Sequence, residues 1–235
     1  MKIEVWSDFA CPASYVGREL LKTAINCFGK DKHIEIEYRS YQIDPAQSIN
    51  MTERTMDVLY RKSNLSKKEC QALEKEAVQN AVDIGLNVDL LGTLYTNTMH
   101  AHRLTKYAKK LGKESQMMNA IYHTYFIERK NIGKQDVLHT LAMEMGFDEA
   151  EIDMLLSFNK YENIVKEDRE VAEEMGIDSV PFIIFNNMYA LSGAQPLSMY
   201  MEILKDILKE DPNCYKMKRK VEGTSSCIGD ECDRK

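Results

Sequence analysis

Hydrophobic and polar positions divide the chain into a short opening unit, a long helical block and a short closing unit. Residues 2–8 carry β-branched and aromatic side chains and predict a strand. From Pro12, the apolar positions Tyr15, Val16, Leu20, Leu21, Ala24 and Ile25 recur at helical spacing, and Gly29 offers a C-terminal cap. Residues 33–41 alternate strictly and predict a second strand. This β-α-β order implies parallel strands joined by a right-handed crossover. Asp44-Pro45 breaks the pattern, and from about Met51 to about Met175 the sequence is helical in character. Thr52, Ser66, Thr96, Asp136 and Asp148 are candidate N-caps, and Gly85, Gly112, Gly133 and Gly146 punctuate the block. Beyond Gly176, the apolar run Phe182–Phe185, the turn signal Asn186-Asn187 and the run Met188–Leu191 predict a hairpin. A last amphipathic helix starts at Pro196 and stops at Asp211-Pro212. The tail that follows is polar and basic, then small, and is expected to be mobile.

The fold class expected is α/β. A sheet unit from 1–46 and 176–212 is interrupted by an all-helical insertion at 47–175, and a flexible tail occupies 213–235. A length of 235 residues supports a substantial core. The net charge of −6 argues against nucleic acid and membrane surfaces as partners, since both favour basic faces. The N-terminus lacks the apolar stretch of a signal peptide, so a cytoplasmic location is expected. Six cysteines (Cys11, Cys27, Cys70, Cys214, Cys227 and Cys232) are spread without a zinc-ligand pattern, so no metal is expected.

The candidate chemistry sits at Cys11. A strand ends at Asp8-Phe9, a cysteine follows, and Pro12 suits the first turn of a helix. A helix N-terminus favours the thiolate, the form that attacks disulfides. A buried structural cysteine is the plain alternative. Asp8 stands close enough in sequence to tune the sulfur, and Trp6 reads as core.

Three stretches give the chain a resemblance to a known family. They are Asp8-Phe-Ala-Cys11-Pro12-Ala-Ser14-Tyr15-Val-Gly17, Asn97-Thr-Met-His-Ala-His102-Arg-Leu104, and Ile177-Asp-Ser-Val180-Pro181-Phe182 followed by Tyr189-Ala-Leu-Ser-Gly-Ala-Gln-Pro196. Together, in this order, they resemble the DsbA-like thioredoxin family, and within it the cytoplasmic FrnE-type branch. That branch is related to 2-hydroxychromene-2-carboxylate isomerases and kappa-class glutathione transferases. The likeness covers essentially the whole chain. It implies a thioredoxin-like fold with a helical insertion and Cys11 as the nucleophile of a thiol–disulfide oxidoreductase or isomerase. It also implies a cis Val180–Pro181 bond whose Val180 backbone groups face Cys11 and pair with an extended peptide or glutathione. Pro12, Val180, Pro181, Asn97 and His102 are the substrate-binding residues it implies. His100 and His102, at spacing two, point to different faces, and His102 fits the family pattern better. A satisfied structural role for Asn97 and His102 stays open beside this one.

One position departs from the family's C-x-x-C centre: Ser14 stands where the second cysteine is usual, and Ala13 where tryptophan is common. Serine cannot resolve a mixed disulfide, although its hydroxyl can donate to the Cys11 thiolate. An external thiol such as glutathione, or the tail pair Cys227 and Cys232, would then supply the second sulfur. No tightly bound cofactor is expected, and the partner is a protein, peptide or glutathione thiol or disulfide. Two other function classes remain: a glutathione-dependent isomerase or transferase, and a non-catalytic peptide-binding adaptor. Nothing in the pattern fixes an oligomeric state.

Overall fold

The structure, a computed structural model, describes residues 1–28, 34–50, 53–62, 66–86, 93–209 and 218–219. Strand β1 (Lys2–Ser7), helix α1 (Pro12–Phe28) and strand β2 (Glu35–Ser40) open the chain. β1 and β2 run parallel, with Val5 opposite Tyr38. Strands β3 (Phe182–Phe185) and β4 (Tyr189–Ser192) form the closing hairpin. Its turn places Asn186 and Asn187 at φ 50° and 54°, a backbone that asparagine tolerates better than most residues. β3 pairs antiparallel with β1, Trp6 opposite Phe182. The chain entering β3 at Pro181 therefore lies beside the chain leaving β1 at Ser7.

A fifth strand, β5 (Lys218–Arg219), pairs parallel with β4 and completes the order β2-β1-β3-β4-β5. Both residues fall in the stretch that the sequence reading expects to be a tail. A two-residue, basic strand has no hydrophobic period to reveal it.

The helices between β2 and β3 are α2 (Thr55–Lys62), α3 (Lys67–Asp83), α4 (Met99–Lys110), α5 (Glu114–Phe126), α6 (Gln135–Glu144), α7 (Glu149–Ser157) and α8 (Glu162–Glu174), and α9 (Leu197–Lys209) follows β4. Ser66 caps α3 with a full capping box, and the Asp148 side chain accepts from the Glu151 amide at the start of α7. Asp136 instead lies inside α6, behind the N-cap Lys134, and Thr98 rather than Thr96 is the N-cap of α4. Thr52, His33 and Gly29 lie outside the described residues.

Strand alternation sorts the core into two layers. Ile3, Val5, Ile183, Phe185, Tyr189 and Leu191 face the layer built with α1 and α9. Trp6, Ile184 and Ala190 face the other way, where Ala172 of α8 meets them. The run Phe182–Phe185 is apolar at every position because both faces of its strand are covered. α8, which the expected boundary at 175 places in the insertion, packs both on β2 and on α4. Asp168 of α8 accepts from the Ser40 amide at 2.8 Å and pairs with Arg39 and Lys106, and its backbone carbonyl accepts the Trp6 indole N–H.

Candidate active site

Cys11 caps α1. Its carbonyl accepts from the amides of Ser14 (3.1 Å) and Tyr15 (3.4 Å), and its own amide donates to the Asp8 carbonyl at 3.2 Å. Pro12 follows as the first helical residue, where no N–H is missed. The Val180–Pro181 bond is cis. The Cys11 Sγ donates to the Val180 carbonyl at 3.4 Å, so the first and third sequence stretches meet at the sulfur. α1 can approach Pro181 this closely because residue 17 is glycine: a Cβ there would stand 2.9 Å from the proline Cγ.

The sulfur is buried, with Cys11 only 7 % exposed. Burial pushes the thiol up from its ordinary range, and the Asp8 carboxylate adds to the rise. The Ser14 hydroxyl and the Ser14 and Ala13 amides pull the other way without overcoming it. Burial therefore opposes the thiolate-favouring effect expected of the helix start. The helix start does supply donors to the sulfur, but a packed wall removes the water a thiolate needs. That wall is aromatic, with rings of the opening unit packed on rings of the helical block. Phe9 lies 4.9 Å from both His102 and Tyr122, and Tyr15 stacks on Tyr122 and Phe126.

Ser14 is fully buried, and its Oγ accepts from the Asp8 amide at 3.4 Å. With that lone pair engaged, its hydrogen is free to point at Cys11. Asp8 is the hub that the motif hides. Its carboxylate accepts from the Ile43 amide at 2.8 Å, and Oδ1 lies 3.2 Å from His102 Nε2. The Tyr122 hydroxyl donates to its carbonyl.

Two residues expected at the substrate are engaged by other groups of the chain. His102 is 3 % exposed and paired with Asp8, behind the sulfur. The Asn97 carboxamide donates to the carbonyls of Pro45 and Gln47 and accepts from Gln42 and from the Met99 amide. It clips the loop after β2 to α4 and has no capacity left for a ligand. His100 is turned to Arg103 and Gln135, away from Asp8. Cys27 is exposed, and Cys214, Cys227 and Cys232 lie outside the described residues. Among the described residues, no cluster of ligands could hold a metal ion, and no helix is long and apolar enough to cross a membrane.

Sequence reasoning missed Arg18, which is fully buried, bonds Ser115 and Asn119 of α5, and lies 5.4 Å over the Tyr38 ring. It ties the helix that carries Cys11 to the helical block. No local pattern marks it, since a single arginine on an amphipathic helix reads as solvent-facing.

The chain is 24% identical over 209 residues to the uncharacterized protein YwbO of Bacillus subtilis (strain 168), covering 88% of this chain and 98% of the relative. Among solved structures it superposes on a probable DsbA oxidoreductase, SCO1869 from Streptomyces coelicolor, with a TM-score of 0.83 and 27% identity, over 97% of this chain and 98% of that one. The cytosolic disulfide reductase DsbM from Pseudomonas aeruginosa, solved with GSH, shares the fold at a TM-score of 0.57 and 12% identity, covering 89% of this chain and 100% of that one. The profile of the DSBA-like thioredoxin domain matches residues 2–205, and the chain belongs to that family of thiol–disulfide oxidoreductases.

Proposed function

We propose that this protein performs thiol–disulfide exchange with Cys11 as its nucleophile, in a one-cysteine mode. The observation that carries the reading is Cys11 at the cap of α1 with its Sγ against the Val180 carbonyl. In the first step the Cys11 thiol loses its proton and Sγ attacks a substrate disulfide. The S–S bond breaks, a substrate thiolate leaves, and a mixed disulfide on Cys11 remains. In the second step an external thiolate, of the glutathione class, attacks that mixed disulfide. Cys11 is released as the thiolate with the external sulfur joined to the substrate sulfur, and a second external thiolate then displaces the substrate thiolate and leaves as the oxidised external disulfide. Electrons balance, because each step exchanges one S–S bond for another. The GSH in the DsbM structure supports glutathione as the external thiol. A reducing cytoplasm is the compartment in which this chemistry would run.

Val180 and Pro181 form the rim against which an extended substrate or glutathione backbone would lie, as in strand addition. Ser14 donates to the sulfur as negative charge develops. The tail pair Cys227 and Cys232 is a second source of a resolving thiol. Peptide mass mapping after mild oxidation tests it, and a Cys11 that never links to either cysteine removes the tail from the reaction.

Insulin reduction with glutathione present is the test of the whole reading. Turnover is expected to vanish in C11A and to persist in C27A. Turnover unchanged in C11A overturns the reading. Extended-peptide binding that survives C11A with no turnover in the native protein would favour an adaptor instead.

A further inference from the structure

A histidine from the helical block reaches across to the turn that holds the nucleophile. His102 Nε2 lies 3.2 Å from Asp8 Oδ1, with both residues almost wholly buried. Asp8 touches the Cys11 turn at three points. Its carbonyl accepts the Cys11 amide, its amide donates to Ser14 Oγ, and its Oδ1 accepts the Ala10 amide at 3.5 Å, so its carboxylate stands at the turn as a like charge to the sulfur once the thiolate forms. The carboxylate's other oxygen is held by the Ile43 amide. The His102 ring is fixed by its packing on Phe9, two residues before Cys11.

We propose that His102 is a positioning residue for Cys11, which by holding the Asp8 carboxylate on α4 keeps that anion from opposing the sulfur during exchange. The inference rests on Cys11 being the nucleophile. A carboxylate in a low-dielectric site must place its charge somewhere, and a hydrogen bond from the ring draws it toward α4. Without that donor, Oδ1 keeps only the Ala10 amide at 3.5 Å, and the anion is held by backbone amides alone three residues from the sulfur. The remaining titratable groups facing Asp8 are Cys11 and the phenols Tyr41, Tyr95, Tyr122 and Tyr125. Burial pushes all four phenols above their usual range, so they stay neutral and add no second anion beside Asp8 and the sulfur.

The test is the pH midpoint of Cys11 alkylation by iodoacetamide, read on the Cys11 peptide by mass in native protein, H102F, D8N and the double variant. H102F keeps a ring against Phe9 and removes the donor, and H102L is the second donor-free variant if the phenyl ring is not accommodated. H102F is expected to raise the midpoint by about half to one unit, which is about a three- to tenfold slower alkylation at a fixed pH below it. D8N is expected to lower the midpoint, and H102F to add nothing in the D8N background. A purely structural histidine would change the melting temperature and leave the midpoint in place. An unmoved midpoint in H102F, an unmoved or raised one in D8N, or equal shifts with and without Asp8 overturns the proposal. Alkylation needs no turnover, so loss of the exchange reading and loss of this one are separate results.

Discussion

The chemistry turns on one hydroxyl. Ser14 occupies the first turn of α1 beside the sulfur, at the position where a second thiol would resolve a mixed disulfide. S14C restores a sulfur there. Two cysteines three apart across a helix start lie close enough for a disulfide with little backbone movement. Treated with oxidised glutathione, the native protein is expected to accumulate a glutathione adduct on Cys11. S14C is expected to pass through that adduct to an internal disulfide between Cys11 and the introduced thiol, seen as the loss of two hydrogens in the intact mass. An adduct that persists in S14C would show that the helix start holds the two side chains apart. Cys11, Pro12 and Ser14 are legible in the sequence because their geometry is local: a cap, a first-turn proline and an i to i+3 neighbour. Asp8 and His102 are 94 positions apart. A histidine on an amphipathic helix carries no sign of what it will meet, so the sequence points His102 at substrate when its partner lies behind the sulfur. Asn97 escapes a sequence reading for the same reason, its four bonds all being tertiary or turn contacts.

Among elements, the placement of α1 against the turn before β3 decides whether the two halves of the site meet. A glycine within a helix ordinarily costs about 1 kcal/mol relative to alanine. Gly17→Ala would therefore stabilise α1 on its own. Here the added Cβ would stand 2.9 Å from Pro181 Cγ and 3.4 Å from the Tyr200 hydroxyl. G17A is expected to destabilise the fold by about 1–3 kcal/mol, as overpacking does. It should also slow Cys11-dependent turnover by lifting Val180 from the sulfur. Urea denaturation and the turnover assay check both effects, and a more stable G17A would mean that the Pro181 turn yields without cost. The strands, α1 and the hairpin are legible because period-two and helical patterns are strong there. β5 has no pattern to read, and the role of α8 is invisible because a helix that covers a sheet has the same amphipathic stripe as one inside a bundle.

At the scale of the molecule, the buried thiol and phenols around the site set the alkaline limit of the fold. Cys11, Tyr95, Tyr122, Tyr125 and Tyr200 are all pushed above their ordinary ranges, in each case first by burial. Each group keeps its proton in the fold to a higher pH than in the open chain. Their contribution is therefore fully present below the unfolded values, about 8.5 for cysteine and about 10 for tyrosine, and is lost as pH rises toward the folded ones. The melting temperature is expected to hold from neutrality to about pH 8.5 and to fall steeply above about pH 10. A melting temperature that stays flat to about pH 11 would show that these groups ionise in the fold without opening it.

The sheet and the helical block are further joined through Asp168, which unites four elements in one buried cluster. Its carboxylate serves Ser40 and Arg39 at the end of β2 and Lys106 on α4, and its backbone carbonyl serves Trp6 of β1. Lys106 also donates to the Tyr38 carbonyl, so the cation is shared between the carboxylate and the strand. Removing the carboxylate leaves the buried Lys106 without its counter-ion and the Ser40 amide without this acceptor, while Arg39 keeps Glu4 and Glu37; loss of one partner of a buried pair costs about 3–5 kcal/mol. D168A is expected to lose about that much in urea denaturation. D168N keeps the shape and an acceptor for the Ser40 amide, and should lose less. Because α4 also carries His102, the effect should extend beyond stability: under native conditions D168A should alter the pH dependence of Cys11 alkylation, 157 positions away in the chain. A D168A protein that is destabilised as stated but keeps the native alkylation profile would show that α4 is held at Asp8 independently of its anchor on the sheet.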